Sequence, residues 1–115
     1  MGAKNLKLKV KEKDVQRAVI DYLKLRKLMV IRINSGSFTV RRKDGSAGFV
    51  RGAEAGTADI LAFTGKSVIW VECKSSVGKL TESQELFRGK VEKLGHTYIV
   101  ARGIEDVECL FTARR

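Results

Sequence analysis

Asp59, Glu72 and Lys74 are the residues of this chain whose types and spacing carry the clearest chemistry. Two apolar, β-rich runs hold them, Asp59-Ile-Leu-Ala-Phe-Thr64 and Ser67-Val-Ile-Trp-Val-Glu-Cys-Lys74, with Gly65-Lys66 between. With Gly65-Lys66 as a two-residue turn, Thr64 lies opposite Ser67, and the constant sum of paired numbers sets Asp59 opposite Glu72. Directly opposed residues hold their Cβ atoms about 4.5–5.5 Å apart on one face of a sheet. Strand alternation puts Lys74 on that face too. Opposed carboxylates repel, so the pair asks for a compensating cation. Mg²⁺ suits it, because it takes oxygen ligands from one or two carboxylates and fills its shell with water and phosphate. Neutralisation by Lys74 alone, or a solvated strand edge, is the competing reading. Against it, Ile60, Leu61, Phe63, Val68, Ile69, Trp70 and Val71 make both faces apolar, as in a central strand pair covered on both sides.

The elements that must position this trio follow from periodicity. Residues 1–10 alternate Lys with small or apolar side chains and read as a flexible basic arm, leaving 11–115 as a single domain. From 12 to about 27, Val15, Ala18, Val19, Tyr22 and Leu23 recur at helical spacing. Met29-Val-Ile-Arg-Ile33 reads as a strand, broken by Asn34-Ser35-Gly36. Asp44-Gly45 between two β-like, basic stretches predicts a hairpin. Thr81 is the expected N-cap of a second helix with Glu82 and Glu85 in its first turn. That helix carries Gln84, Phe87, Val91 and Leu94 on one side and stops at Gly95. A strand at Thr97-Tyr-Ile-Val-Ala101 and a short helix bearing Ile104, Val107, Leu110 and Phe111 complete the order α, β, hairpin, β, β, α, β, α. The fold class is α/β, a central mixed sheet flanked by helices.

Composition narrows the partners. The 115 residues include 23 Lys+Arg and 13 Asp+Glu, a net charge of +10, which biases binding toward polyanions such as nucleic acid. No apolar run approaches the roughly 18 residues of a membrane span, and the opening residues lack a secretory or myristoylation pattern. Cys73 and Cys109 do not have zinc or redox spacing, so free thiols in a cytoplasmic protein are expected. The single His96 follows a helix end and is expected on the surface, and with one His and no His-based metal spacing a zinc enzyme is not expected. Gly45-Ser-Ala-Gly48 is too short to cradle phosphate as a P-loop does. Cys73 alternates away from the acidic face, and it and Trp70 are expected in the core.

Gly56-Thr-Ala-Asp59 followed by Val71-Glu72-Cys-Lys74 resembles the PD-(D/E)XK nuclease signature. More narrowly, the chain resembles the stand-alone virus-type replication-repair nuclease (VRR-NUC) domain of phages and bacteria. The likeness runs from 12 to about 110 and takes in Glu12-Lys-Asp-Val-Gln16, Arg32-Ile-Asn-Ser-Gly36 and Gly78-Lys-Leu-Thr-Glu-Ser-Gln84. One departure is Ala58, where the family usually carries Pro, a residue that shapes backbone rather than binding metal. The resemblance implies the restriction-endonuclease-like fold and a Mg²⁺- or Mn²⁺-dependent endodeoxyribonuclease. It implies that Asp59, Glu72 and the backbone carbonyl of Cys73 hold the metal, and that Lys74 positions or activates the attacking water. Glu12 resembles the family's additional acid, a ligand direct or through water, and equally suits a helix start. Gln84 is expected to orient Lys74 or phosphate, with a buried, satisfied amide as the alternative.

Arg41, Arg42, Lys43 and Arg51 decorate the hairpin and are the expected phosphate contacts, with Asn34 and Ser35 lining the cleft beside them. Such contacts are sequence-independent and salt-sensitive, which leaves substrate choice to DNA shape. A homodimer resolving Holliday junctions is the expected function, since two symmetric cuts call for two sites related by a two-fold axis. A flap or restriction-type nuclease is the alternative enzyme. A non-catalytic nucleic-acid-binding module is the alternative from another class, and a small basic ribosome-associated protein is a further one that leaves the acidic trio unexplained.

Overall fold

The structure, a computed structural model, describes residues 10–34 and 37–112, with the backbone only of Ser37, Phe38, Val50 and Arg51. Helix α1, Glu12–Leu25, buries Val15, Val19 and Leu23 along one stripe and leaves Ala18 exposed, so its apolar face is narrower than the sequence suggests. It stops where Lys27 turns into the left-handed region at φ 66°, which lets the Leu28 N–H reach back to the Leu23 carbonyl at 3.2 Å. Strand β1, Met29–Arg32, follows, then the hairpin strands β2, Ser37–Arg41, and β3, Ala47–Arg51. Asp44-Gly45 lies in the hairpin turn as expected, with Gly45 at φ +90°. Strands β4, Ile60–Phe63, and β5, Val68–Cys73, are joined by the tight Gly65-Lys66 turn, closed by the Thr64 N–H on the Ser67 carbonyl at 2.9 Å. Helix α2, Glu82–Lys93, strand β6, Thr97–Ala101, and helix α3, Glu105–Thr112, complete the chain.

The main sheet is mixed, in the order β1-β4-β5-β6, with β5 and β6 parallel and the other pairs antiparallel. The hairpin forms a separate two-stranded sheet. Pairing of Ile60 with Val71 and of Phe63 with Val68 is the register expected from a two-residue turn. Helices cover both faces. On one, α1 and α3 pack Val15, Val19, Leu23 and Val107 against Ile60, Ala62, Val71 and Cys73. On the other, Phe87 and Val91 of α2 meet Trp70, Tyr98 and Val100, with the Trp70 and Phe87 rings edge-on at 5.0 Å. Because side chains alternate along a strand, β5 sends Val71 and Cys73 to the first core and Trp70 and Glu72 to the α2 face. Leu94 departs from expectation. At the α2 C-cap it is 74% exposed, since the helix has ended before a further turn could carry it onto the sheet.

Candidate active site

Strand geometry assembles the site at the sheet end where β4 begins and β5 finishes. Register places Asp59, just ahead of β4, opposite Glu72 near the end of β5. The Asp59 carboxylate turns onto the neighbouring backbone and accepts the Cys73 N–H through Oδ2 at 2.8 Å. Glu72 is 2% exposed and Lys74 7%, the two charged side chains buried among the described residues. Lys74 is tied through its own N–H to the Ala101 carbonyl of β6 at 2.9 Å. Asp59 is half-buried between this interior and solvent.

Gln84 reaches the site with both ends of its amide satisfied, and the side chain it orients is Glu72. Its Nε2 donates to Glu72 Oε2 at 3.1 Å. The amide orientation is set from α2 itself, because Gln84 Oε1 accepts the Thr81 N–H at 2.8 Å while the Thr81 hydroxyl accepts the Gln84 N–H. This capping box makes one hydrogen-bonded chain from the helix start to the buried carboxylate. Gln84 thereby holds one Glu72 oxygen and leaves the other free.

That other oxygen, Glu72 Oε1, is buried without a hydrogen-bond partner. With both carboxylates ionised, neither can donate to the other. Burial first, then the Asp59 charge and the hydrogen bond that only a protonated Glu72 could give Asp59, push the Glu72 carboxyl up from 4.5 to about 8, with Glu12 adding to the push and Lys74 opposing it. The gap between Asp59 and Glu72 therefore requires either a proton or a cation. This orphaned oxygen is the observation by which the donor set fits a divalent metal. Among the described residues no three His, Cys, Asp or Glu side chains form a closed cage. Mg²⁺ does not require one, since it retains waters and takes one or two carboxylates.

Glu12 stands exposed at the first position of α1, close enough for its charge to act on Glu72. Cys73 is fully buried in the core, and burial with the nearby acids drives its thiol well above its ordinary range, so it is inert as a nucleophile. Trp70 sits under α2 and His96 is exposed, as expected.

The loops around the trio are fitted tightly to it. Gly56 has φ +92°, and a Cβ there would run into the Ser83 carbonyl in the first turn of α2. The Gly56-Thr57-Ala58 segment is thus pressed against α2 before the chain reaches Asp59. On the other side Arg102 Nη1 donates to the Ser75 and Gly78 carbonyls, both at 2.7 Å, pinning the loop after β5. A Cβ on Gly78 would stand 3.4 Å from Lys74 Cδ, so this loop lies along the lysine stem. Sequence reading missed Arg102, because its partners are backbone carbonyls 27 and 24 residues away. No side-chain pattern signals such a bond. A groove of about 730 Å³, lined in part by Lys79, Arg88, Tyr98 and Arg102, lies between α2 and β6 and contains none of Asp59, Glu72 and Lys74.

The hairpin leaves the sheet at the same end. The Ile33 N–H bonds the Asp59 carbonyl, and the Ala53 N–H bonds that of Asn34, each at 2.7 Å. Asn34 is therefore at the hairpin root beside the site, while Ser35 lies outside the described residues. Arg41 and Lys43 are exposed. Arg42 folds back on its own turn, donating to the Ala47 carbonyl at 2.8 Å and to Ser46 Oγ at 3.4 Å. The Arg51 backbone pairs with Ser37. Among the described residues no helix is long and apolar enough to cross a membrane. No family model matches the chain, and no match to it was found among the curated proteins or the solved structures.

Proposed function

We propose that this protein is a Mg²⁺- or Mn²⁺-dependent endonuclease of the PD-(D/E)XK type, of VRR-NUC character, that hydrolyses phosphodiester bonds in branched DNA as a homodimer. The observation that carries the reading is Glu72, buried opposite Asp59 with one oxygen unpartnered and Lys74 on the same strand face. Asp59 and Glu72 would hold the metal together with the Cys73 carbonyl, and Glu12 would reach it directly or through water. A divalent ion there supplies Lewis acidity and neutralises charge gathering on the scissile phosphate. Gln84 keeps Glu72 Oε2 occupied and so aims Oε1 at the gap. Lys74, its stem packed under the loop that Arg102 pins, presents an ammonium that orients the attacking water and offsets phosphate charge. The +10 net charge favours a polyanionic substrate, and the basic hairpin rooted beside Asp59 supplies phosphate contacts. Free thiols at Cys73 and Cys109 suit a reducing, cytoplasmic setting.

Purified protein is incubated with end-labelled four-way junction, flap and linear duplex DNA, with Mg²⁺, Mn²⁺ or EDTA. Metal-dependent cleavage of the junction by paired symmetric cuts is the expected outcome. Cleavage at a fixed sequence in linear duplex would favour a restriction-type enzyme. No cleavage of any substrate with either metal would sink the nuclease reading.

A further inference from the structure

Phe49 is the only aromatic among the large apolar side chains exposed in the described residues, and at 79% it is the most exposed of them. It sits on β3 opposite Thr39, and the next outward pair along the hairpin is Arg41 with Ala47. Alternation puts Thr39, Arg41, Ala47 and Phe49 on one side of the ribbon. An exposed aromatic residue thus shares this side of the ribbon with an arginine. Arg51 stands two positions further along the same strand.

The charge around Phe49 selects what can cover it. Between 37 and 51 the chain has Arg41, Arg42, Lys43 and Arg51 against the single acid Asp44. Asp44 is spent on the turn, accepting the Ser46 N–H and hydroxyl at 2.9 and 2.7 Å. A second copy laid hairpin to hairpin would oppose like charges, which a polyanion would not. Among the described residues the ribbon pairs with no strand of the main sheet, and it is rooted through Asn34 and Ala53 at the Asp59 end. A lone two-stranded ribbon is marginal in water, so it gains by closing on a ligand.

We infer that this face of the hairpin is a stacking platform for an unpaired nucleotide, Phe49 taking the base and Arg41 the adjoining phosphate. Every base has a π-face, so the contact is indifferent to sequence, and it requires a base free of its own duplex stack. The platform therefore selects nucleic acid with single-stranded or splayed positions, such as a branch point, over continuous duplex. This deepens the nuclease reading by naming the feature of the substrate, and it rests on that reading for the platform's purpose beside the site.

Binding is measured by fluorescence anisotropy in EDTA, so that no cleavage is needed, using a labelled single strand, the blunt duplex of the same sequence and a flapped duplex. The native protein should bind the single strand and the flap more tightly than the blunt duplex. Phe49→Ala should weaken single-strand and flap binding by roughly fivefold to a hundredfold, the range of one base stack, and leave the duplex unchanged. Phe49→Trp should restore it. Phe49 is exposed, so its loss leaves the core intact, and circular dichroism verifies this. Equal single-strand affinity in Phe49→Ala would overturn the platform. So would a Phe49→Ala protein that loses self-association in sedimentation, or loses binding to phosphatidylserine vesicles, while keeping its oligonucleotide affinity. Loss of binding in Phe49→Ala from a protein that cuts nothing would leave the platform standing and sink the nuclease. Metal-dependent cleavage with unchanged Phe49→Ala binding would do the reverse.

Discussion

Each of three buried or half-buried side chains at the sheet end has one partner fixed and one position open. Asp59 is held by the Cys73 N–H, Glu72 by Gln84, and Lys74 by the loop on its stem. Lys74→Ala should cut cleavage at least about 100-fold, the scale of losing one positioned group at the reacting phosphate, while calorimetry shows Mn²⁺ binding retained. Glu72→Gln should instead weaken Mn²⁺ binding, and unchanged affinity would refute its ligand role. The raised Glu72 pKa gives a signed pH dependence. Folding takes up a proton between the ordinary 4.5 and about 8, so the metal-free protein loses stability as pH rises through that window. Melts in EDTA should show this fall, and Glu72→Gln should flatten it. A metal must displace the same proton, so Mn²⁺ affinity should climb by up to about tenfold per pH unit until about pH 8 and then level off. The thiols provide a separate check. Cys109 is exposed and Cys73 buried, so an alkylating reagent should label one thiol in the native protein and two after unfolding.

At the level of elements, the start of α2 joins the two halves of the site. Its capping box orients Gln84 toward Glu72, and its Ser83 carbonyl lies against Gly56, three residues before Asp59. Gly56→Ala meets both a left-handed backbone and a carbonyl that cannot give way. It should cost about 1–3 kcal/mol of stability from the backbone conformation alone. Denaturant melts measure that cost, and a wild-type midpoint would contradict it. The residues around this contact were legible in the sequence to different degrees. Thr81 as N-cap and the Asp59–Glu72 register follow from local rules, because caps and two-residue turns act over a few residues. The contact of Gly56 with Ser83 is non-local, and a glycine in a loop carries no sign of what its missing Cβ would have struck.

For the whole molecule, the proposed nuclease has one site on one small domain, which would cut one strand at a time. Paired cuts across a four-way junction require two sites related by a two-fold axis. Sedimentation at micromolar concentration should give twice the mass of the 12.8 kDa chain, and a monomer that resolves junctions symmetrically would contradict this. The charge has a matching layout. The acids that matter lie together under α2, and the basic hairpin rises from the same sheet end.

Local sequence rules were sufficient for the element order, the hairpin turn, the Thr81 cap and the facing of Asp59 and Glu72, since each depends on periodicity or on a turn of fixed length. Tertiary structure alone decided that Gln84 orients Glu72, that Arg102 clamps the loop over the lysine stem, and that Leu94 faces water. It also decided that Arg42 closes its own turn while Phe49 stands exposed on the ribbon. Each of these depends on which surfaces meet when the sheet, helices and loops pack, and that meeting is set by the whole chain rather than by any stretch of it.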